Sequence, residues 1–389
     1  MTTLNEGMKQ EADLGPNAGL VGAADGRTRL ATPSLLLDLD ALEANLAEGA
    51  RLVREAGLRL RPHFKAHKSL EVLRLQLEAG ACGVAVATIG EAEAVAAAFP
   101  TTDILVTSIL SSPIQLARAV AIFANRVPLT LAIDSRDQLK TLSQCLAGKN
   151  CQMNVLIDVD MGRGRSGCVT VSEAIKLAEM IEAEPNISLA GLQTYAGQLS
   201  HVTDLEKRSD TYEIFASRVV LFREALASHL PRPLKITGGS TGSMQLDLAS
   251  GLLTELQCGS YAIMDVEYLP LHHRDGTWPF VPALSVLSTV LSANWDYHVT
   301  TDGGDKRFQN KYGHEPVIVR GAEPACRYKP VSDEHGRIDA PDGIPLPAVG
   351  DSVECIVSYC DPTINLYDAY HVVRDDALLA IWPIDGRGR

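Results

Sequence analysis

Met153-Asn154-Val155-Leu156-Ile157-Asp158-Val159-Asp160-Met161-Gly162-Arg163-Gly164-Arg165-Ser166-Gly167 joins an almost uninterrupted apolar run to a glycine-rich turn with two arginines. A strand with one wet face alternates apolar and polar residues. A run without alternation suits a strand buried on both faces of a parallel sheet. The same texture recurs on either side, with strand-like runs at 34–39, 58–62, 83–88, 103–107, 128–134, 153–160, 188–195, 234–237 and 256–264. Amphipathic helical stretches separate them; in 39–57, Leu39, Leu42, Leu46 and Val53 share one face. Strand and helix alternating over about 240 residues favour a (β/α)8 TIM-type barrel over an open doubly wound sheet. No Gly-x-Gly-x-x-Gly turn follows the first strand, which weighs against a dinucleotide fold.

Beyond Gly276 the texture changes. Short runs at 286–291, 297–300, 316–319, 352–357 and 378–381 lie between Gly, Pro and Asp turns, as in an antiparallel β-domain. The expected organisation is α/β: an N-terminal arm (1–31) that can complete the β-domain, a barrel (32–276) and a C-terminal β-domain (277–389).

Composition narrows the function classes. The chain has 389 residues, 46% of them hydrophobic, and a formal net charge of −13, with no basic run of the kind nucleic-acid binding needs. No apolar stretch reaches the roughly 18 residues of a membrane span. The N-terminus lacks both a basic n-region and an apolar h-region, so the expected location is the cytoplasm. Eight cysteines are scattered without metal-ligand spacing and read as buried thiols.

Three loops fall at expected C-terminal ends of strands, where barrel enzymes place their sites. The first is Arg61-Pro62-His63-Phe64-Lys65-Ala66-His67-Lys68-Ser69. Neighbouring positive charge and partial burial both favour a neutral amine at Lys65, which suits a Schiff base with an aldehyde cofactor such as pyridoxal phosphate. A solvated basic turn is the plain alternative. The second loop, Thr237-Gly238-Gly239-Ser240-Thr241-Gly242-Ser243, and the third, Gln257-Cys258-Gly259-Ser260-Tyr261, interleave glycines with hydroxyls. Backbone amides of such loops converge on anions, and two in consecutive βα units match a barrel phosphate site. One guanidinium of the 160–167 turn then suits a cofactor's phenolate oxygen.

Together these motifs resemble the fold-type III pyridoxal-phosphate enzymes, with an alanine racemase-like barrel. The narrower resemblance is to the group of D-threonine aldolase, 3-hydroxy-D-aspartate aldolase and D-serine dehydratase. It runs from about Thr32 to Arg389. His63-x-Lys65-x-His67-Lys68 is similar to the family's lysine motif, which implies Lys65 as the Schiff-base residue with His63 beside it in catalysis. Asp160-x-Gly162-x-x-Arg165-x-Gly167 implies Arg165, not Arg163, as the cofactor contact. Gly191-Leu192-Gln193-x-Tyr195-x-Gly197 supplies Tyr195. By the same resemblance Gly239, Ser240, Thr241, Gly242, Gly259 and Ser260 hold the phosphate, followed by Tyr268 at the usual interval. Thr88 stands at a cofactor-side position where close relatives tend to have glutamine. Ser332-Asp333-Glu334-His335-Gly336 also matches, and Asp305 stands where relatives more often have an apolar residue.

The chain departs at Ser358-Tyr359-Cys360-Asp361-Pro362-Thr363. The aldolases of the group read His-Cys-Asp-Pro-Thr there, with His and Asp holding a divalent metal. Here Tyr359 replaces that histidine, and a neutral phenol is a poor ligand for Mg2+ or Mn2+. Three readings stay open: the metal is weakened or lost, a tyrosinate replaces the nitrogen, or Tyr359 fills space beside a metal held by Asp361 and water. The resemblance implies a homodimeric lyase that cleaves D-configured 3-hydroxy amino acids to glycine and an aldehyde or 2-oxo acid. Alternatives are a D-3-hydroxy amino acid dehydratase and a metal-independent racemase with Tyr359 as second base.

Overall fold

The computed structural model describes residues 14–227, 233–271 and 276–389. The first 13 residues of the expected arm lie outside these. Two compact units form, one from the described residues of Leu46–Tyr261 with 270–271, 276–279 and 388–389, the other from 14–45, Ala262–Leu269 and Phe280–Arg387.

The first unit is built on a parallel sheet. Its strands are β2 (Arg59–Leu60), β3 (Val84–Val86), β4 (Ile104–Val106), β5 (Leu129–Ile133), β6 (Met153–Asp158), β7 (Ile187–Thr194), β8 (Lys235–Gly238) and β9 (Glu255–Leu256), β1 belonging to the second unit. Sheet order is β2-β9-β8-β7-β6-β5-β4-β3, all parallel. The ends of that row meet. His63 bridges Ala85 in parallel, while the Cys82 and Ala85 amides donate to the Leu60 and Pro62 carbonyls at 2.8 and 2.9 Å, closing a ring of eight. The helices between strands are α2 (Leu70–Glu78), α3 (Ile89–Ala98), α4 (Pro113–Ala124), α5 (Arg136–Leu146), α6 (Val171–Glu182), α7 (Leu205–Ala227) and α8 (Met244–Ser250), α1 (Leu39–Glu55) preceding β2. Continuous burial of β3, β4 and β5 explains their lack of apolar–polar alternation, with Thr130 the one polar residue among them.

The second unit holds a mixed sheet of β1 (Ser34–Asp38), β10 (Leu284–Ser292), β11 (His298–Thr301), β12 (Val317–Arg320), β13 (Arg327–Pro330), β14 (Gly336–Asp339), β15 (Ser352–Ile356), β16 (Ala369–Arg374) and β17 (Ala377–Pro383). A short helix, α9 (Cys360–Ile364), follows β15. Here the sequence reading needs a correction. The run at 34–39 was expected as a barrel strand, but β1 pairs antiparallel with β10 and parallel with β16. Leu35, Leu36 and Leu37 are fully buried, and a central strand covered on both faces has the same apolar texture in either kind of sheet. Leu36 packs in a core with Leu30, Leu287, Val373, Leu378 and Ile381. The described part of the arm follows β17: the Gly22 amide donates to the Leu378 carbonyl at 2.8 Å, and Arg27 forms a two-pronged pair with Glu354 at 3.0 and 2.6 Å.

Candidate functional site

The C-terminal ends of the barrel strands converge on a pocket lined by His63, Lys65, Ala87, Thr107, Ser108, Arg165, Gln193, Tyr195 and Gln257. Four residues singled out in the sequence (His63, Lys65, Arg165 and Tyr195) therefore meet, although they are up to 132 positions apart (195 − 63). The Lys65 ammonium nitrogen lies 5.7 Å from the centre of the Tyr195 ring and the Arg165 guanidinium 5.2 Å, so both cations face the same π-cloud.

Local structure aims each group. Lys65 sits in a single 3-10 turn, Phe64–Ala66, directly after β2. The turn is tied from below by His67, whose Nδ1 accepts from the Ser69 amide at 3.3 Å and whose Nε2–H donates to Gln76 Oε1 at 3.1 Å. Full burial pulls His67 down to about 4, so it is a neutral structural pin. Gly259 lies against this turn; a Cβ there would come within 2.8 Å of the Ala66 methyl and 2.9 Å of the His63 carbonyl oxygen. Arg165 is presented by the turn after β6. Asp160 Oδ1 accepts the Arg163 and Gly164 amides, both at 3.0 Å, and Gly167 closes the turn at φ +101° with no room for a side chain.

His63 has a defined tautomer. Thr107 Oγ1 donates to the Val86 carbonyl at 3.0 Å, so in its 3.1 Å contact with His63 it must accept, and the His63 proton is on Nε2. The bare Nδ1 is buried and has no hydrogen-bond partner. Burial first, then the Lys65 and Arg165 charges, hold the ring neutral well below the usual histidine range. Gln193 is similar: its amide donates to Thr107 O and Asp158 Oδ1 at 2.8 and 2.9 Å, and its Oε1 is left unpartnered. Two buried acceptors without donors and a lysine in one polar pocket fit a group that brings hydroxyl or N–H donors and a carbonyl carbon, as pyridoxal phosphate and an amino acid do.

The two Gly-Ser loops lie side by side, since the Tyr261 amide donates to Thr241 Oγ1 at 3.0 Å. Thr88 takes a different place. Its hydroxyl caps α3 by accepting the Glu91 amide at 3.1 Å, and it is not among the pocket-lining residues. Tyr268, Tyr359 and Asp361 belong to the second unit. Tyr268 ends a buried turn, Val266–Tyr268. Tyr359 caps α9 and meets Tyr312 edge-on at 5.1 Å. Burial, then Asp361, push the Tyr359 phenol up, so it stays neutral. Nearby, the Cys360 amide donates to Asp265 Oδ2 at 2.8 Å and the Cys360 thiol to Asp361 Oδ1 at 3.4 Å. Among the described residues no three His, Cys, Asp or Glu side chains gather as a metal site, and Tyr359, which stays a neutral phenol, is a poor ligand beside Asp361.

The sequence reading did not single out Ala87, Thr107, Ser108, Gln193 or Gln257 as site residues. Each follows or ends a barrel strand, which is the signal that could have found them.

The family model described as "Alanine racemase, N-terminal domain" matches residues 37–266, and a serine dehydratase domain model matches 283–373. A D-threonine aldolase of Arthrobacter sp is 35% identical over 364 residues, 94% of each chain. A 3-hydroxy-D-aspartate aldolase of Paracoccus denitrificans (strain Pd 1222) is 31% identical over 373 residues, 93% of each chain. The crystal structure of D-threonine aldolase from Filomicrobium marinum matches with a TM-score of 0.87 and 30% identity, covering 93% of this chain and 97% of that one. A closed parallel barrel with a lysine pocket at its C-terminal end, matched over nearly its whole length by these relatives, makes this chain a member of the alanine racemase-like family that includes the D-threonine and 3-hydroxy-D-aspartate aldolases.

Proposed function

We propose that the chain is a pyridoxal-phosphate-dependent carbon–carbon lyase that splits a D-configured 3-hydroxy amino acid into glycine and an aldehyde or 2-oxo acid. The observation that carries this reading is that His63, neutral and with its Nδ1 unpartnered, lines the same pocket as Lys65. Retro-aldol cleavage needs a base for the β-hydroxyl, and a neutral imidazole with its other nitrogen fixed by Thr107 is such a base. The cofactor, when bound, supplies an electron sink for the negative charge left on Cα. Lys65 anchors it, Arg165 and Tyr195 orient its ring, and the 238–243 and 259–260 loops receive its phosphate. His63 Nδ1 takes the hydroxyl proton as the Cα–Cβ bond breaks.

The dehydratase-model match over 283–373 supports one competing reading, removal of the Cα proton with loss of the hydroxyl group. As part of the proposal the enzyme is a cytoplasmic homodimer; among the described residues no helix is long and apolar enough to cross a membrane. Incubation with D-threonine, D-3-hydroxyaspartate, D-serine and D-alanine separates the readings. Glycine with acetaldehyde or glyoxylate supports the lyase. Keto acid with ammonia overturns it for the dehydratase, and L-enantiomer alone overturns it for a racemase.

A further inference from the structure

Beneath the Gly238–Ser243 turn lies a buried acid that the proposed reaction does not use. Asp247, on α8, is fully buried. Its Oδ2 accepts from the Ser243 hydroxyl at 2.7 Å and its Oδ1 from the Tyr212 hydroxyl at 3.0 Å. Ser243 Oγ in turn lies 2.9 Å from Ser240 Oγ, which accepts from the Ser200 hydroxyl at 2.7 Å. A chain of hydroxyls thus runs from the loop to a single carboxylate. Around Asp247, Tyr212 comes from α7, the Ser240 amide and Ser243 from the turn, and the buried thiol of Cys258 from the loop after β9. Among the described residues no cation pairs with it.

The direction of the hydroxyl chain depends on that carboxyl. When Asp247 is ionised, Ser243 must donate to it and Ser240 to Ser243, so the Ser240 proton is committed inward. When Asp247 is protonated, its own O–H donates to Ser243, Ser243 donates to Ser240, and the Ser240 proton is released to an outside acceptor. A dianionic phosphate beside the loop also raises the cost of a second buried negative charge without a cation.

We propose that Asp247 is a positioning residue that takes up one proton from solvent when the cofactor's phosphate docks, turning the Ser240 hydroxyl into a phosphate donor through Ser243. This rests on the reading of the 238–243 turn as the phosphate loop. Burial without a cation lifts the empty-site carboxyl to about 7, so the linkage falls in a measurable range.

The test compares pyridoxal phosphate with pyridoxal, which lacks the phosphate but uses the same lysine. Apoprotein is titrated with each from pH 7.5 to 8.5, following the visible absorption of the bound cofactor, and the ratio of the two association constants is taken at each pH. The phosphate itself is fully ionised over this interval. In the wild type the ratio falls about tenfold per pH unit, as uptake of one proton requires. In Asp247→Asn, whose amide is a permanent donor to Ser243, the ratio is flat. Calorimetry of the wild type in two buffers of different ionisation enthalpy counts the same proton and does not depend on the variant folding. A flat wild-type ratio well above one, or an equal slope in Asp247→Asn, overturns the Asp247 role while leaving the phosphate loop intact. A ratio near one at every pH overturns the phosphate loop itself, and the proposal with it.

Discussion

Two of the carboxylates buried in the barrel, Glu255 near one end and Asp247 near the other, are treated oppositely. At the N-terminal end, Glu255 on β9 is met by Arg61 Nε at 3.0 Å, Arg59 at 2.8 Å and Lys235 at 3.3 Å, and Arg61 also bonds Asp103 at 2.9 Å. Despite burial, these cations hold Glu255 down at about 2. At the C-terminal end, Asp247 has only hydroxyls and amides, and burial lifts it to about 7. The same chemical group is thus a fixed anion at one end and a titrating acid at the other. The contrast teaches that burial alone does not set a carboxyl's charge; the presence of a cation does. It also fits the division of labour in barrels, with stability at the N-terminal face and chemistry at the C-terminal face.

The largest effect that sharpens this contrast is expected at the C-terminal end. Lys65→Ala should abolish the visible band of the bound cofactor and all measurable turnover, while the denaturation midpoint of the apoprotein stays near wild type. A retained band would remove Lys65 from its assigned place. His63→Gln should keep the band and lower kcat by roughly 10²- to 10⁴-fold, the usual contribution of a general base. Band loss would make His63 a structural residue instead.

At the other end, Glu255→Gln leaves Arg61, only 1% exposed, without its main counter-charge. The expected cost is about 3–5 kcal/mol of unfolding free energy, with turnover per folded molecule unchanged. A loss below about 1 kcal/mol in urea titration would show that Asp103 and water compensate Arg61.

Smaller effects come with pH. Glu255 has a folded value below its unfolded one, so its contribution is present above about 4.3 and is lost as pH falls toward about 2. Asp247 runs the other way: the folded apoprotein holds the proton more tightly, so its carboxyl costs stability progressively as pH rises from about 4 to about 7. Neutral His67, held at about 4, adds an opposing slope in that window, as do His63 and His371. The difference between wild type and Asp247→Asn cancels those histidines. Wild type should lose stability relative to the variant between pH 4 and 7, and parallel curves would disprove the unpaired state of Asp247. The smallest effect is expected from chelation: EDTA should change turnover by less than about twofold, since Tyr359 stays a neutral phenol and is a poor metal ligand beside Asp361. Strong inhibition reversed by Mn2+ would restore a metal to the reaction.

Much of this was legible in the chain itself. Continuous apolar runs such as Val84–Val86 and Ile104–Val106 marked barrel strands because both their faces are covered. The glycines and charged residues of 160–167 and 61–69 marked strand-end loops. The β-domain was read less completely. β13, Arg-Tyr-Lys-Pro, and β14, Gly-Arg-Ile-Asp, each bury one large apolar residue, Tyr328 and Ile338, and are otherwise polar, so neither shows a run. In β16, the buried Tyr370, Val372 and Val373 are broken by His371, which masks the pattern.

By itself, the sequence determined the barrel, the family and the cluster of Lys65, Arg165 and Tyr195 motifs, because these depend on local periodicity and on loops that each follow their own strand. Only the tertiary structure decided that β1 leaves the barrel for the second sheet, that His63 carries its proton on Nε2, and that Asp247 and Glu255 differ in charge. Strand partners, tautomers and buried charges are set by groups distant in the chain: Glu255 meets Arg61 across 194 positions, and no local pattern encodes such a meeting.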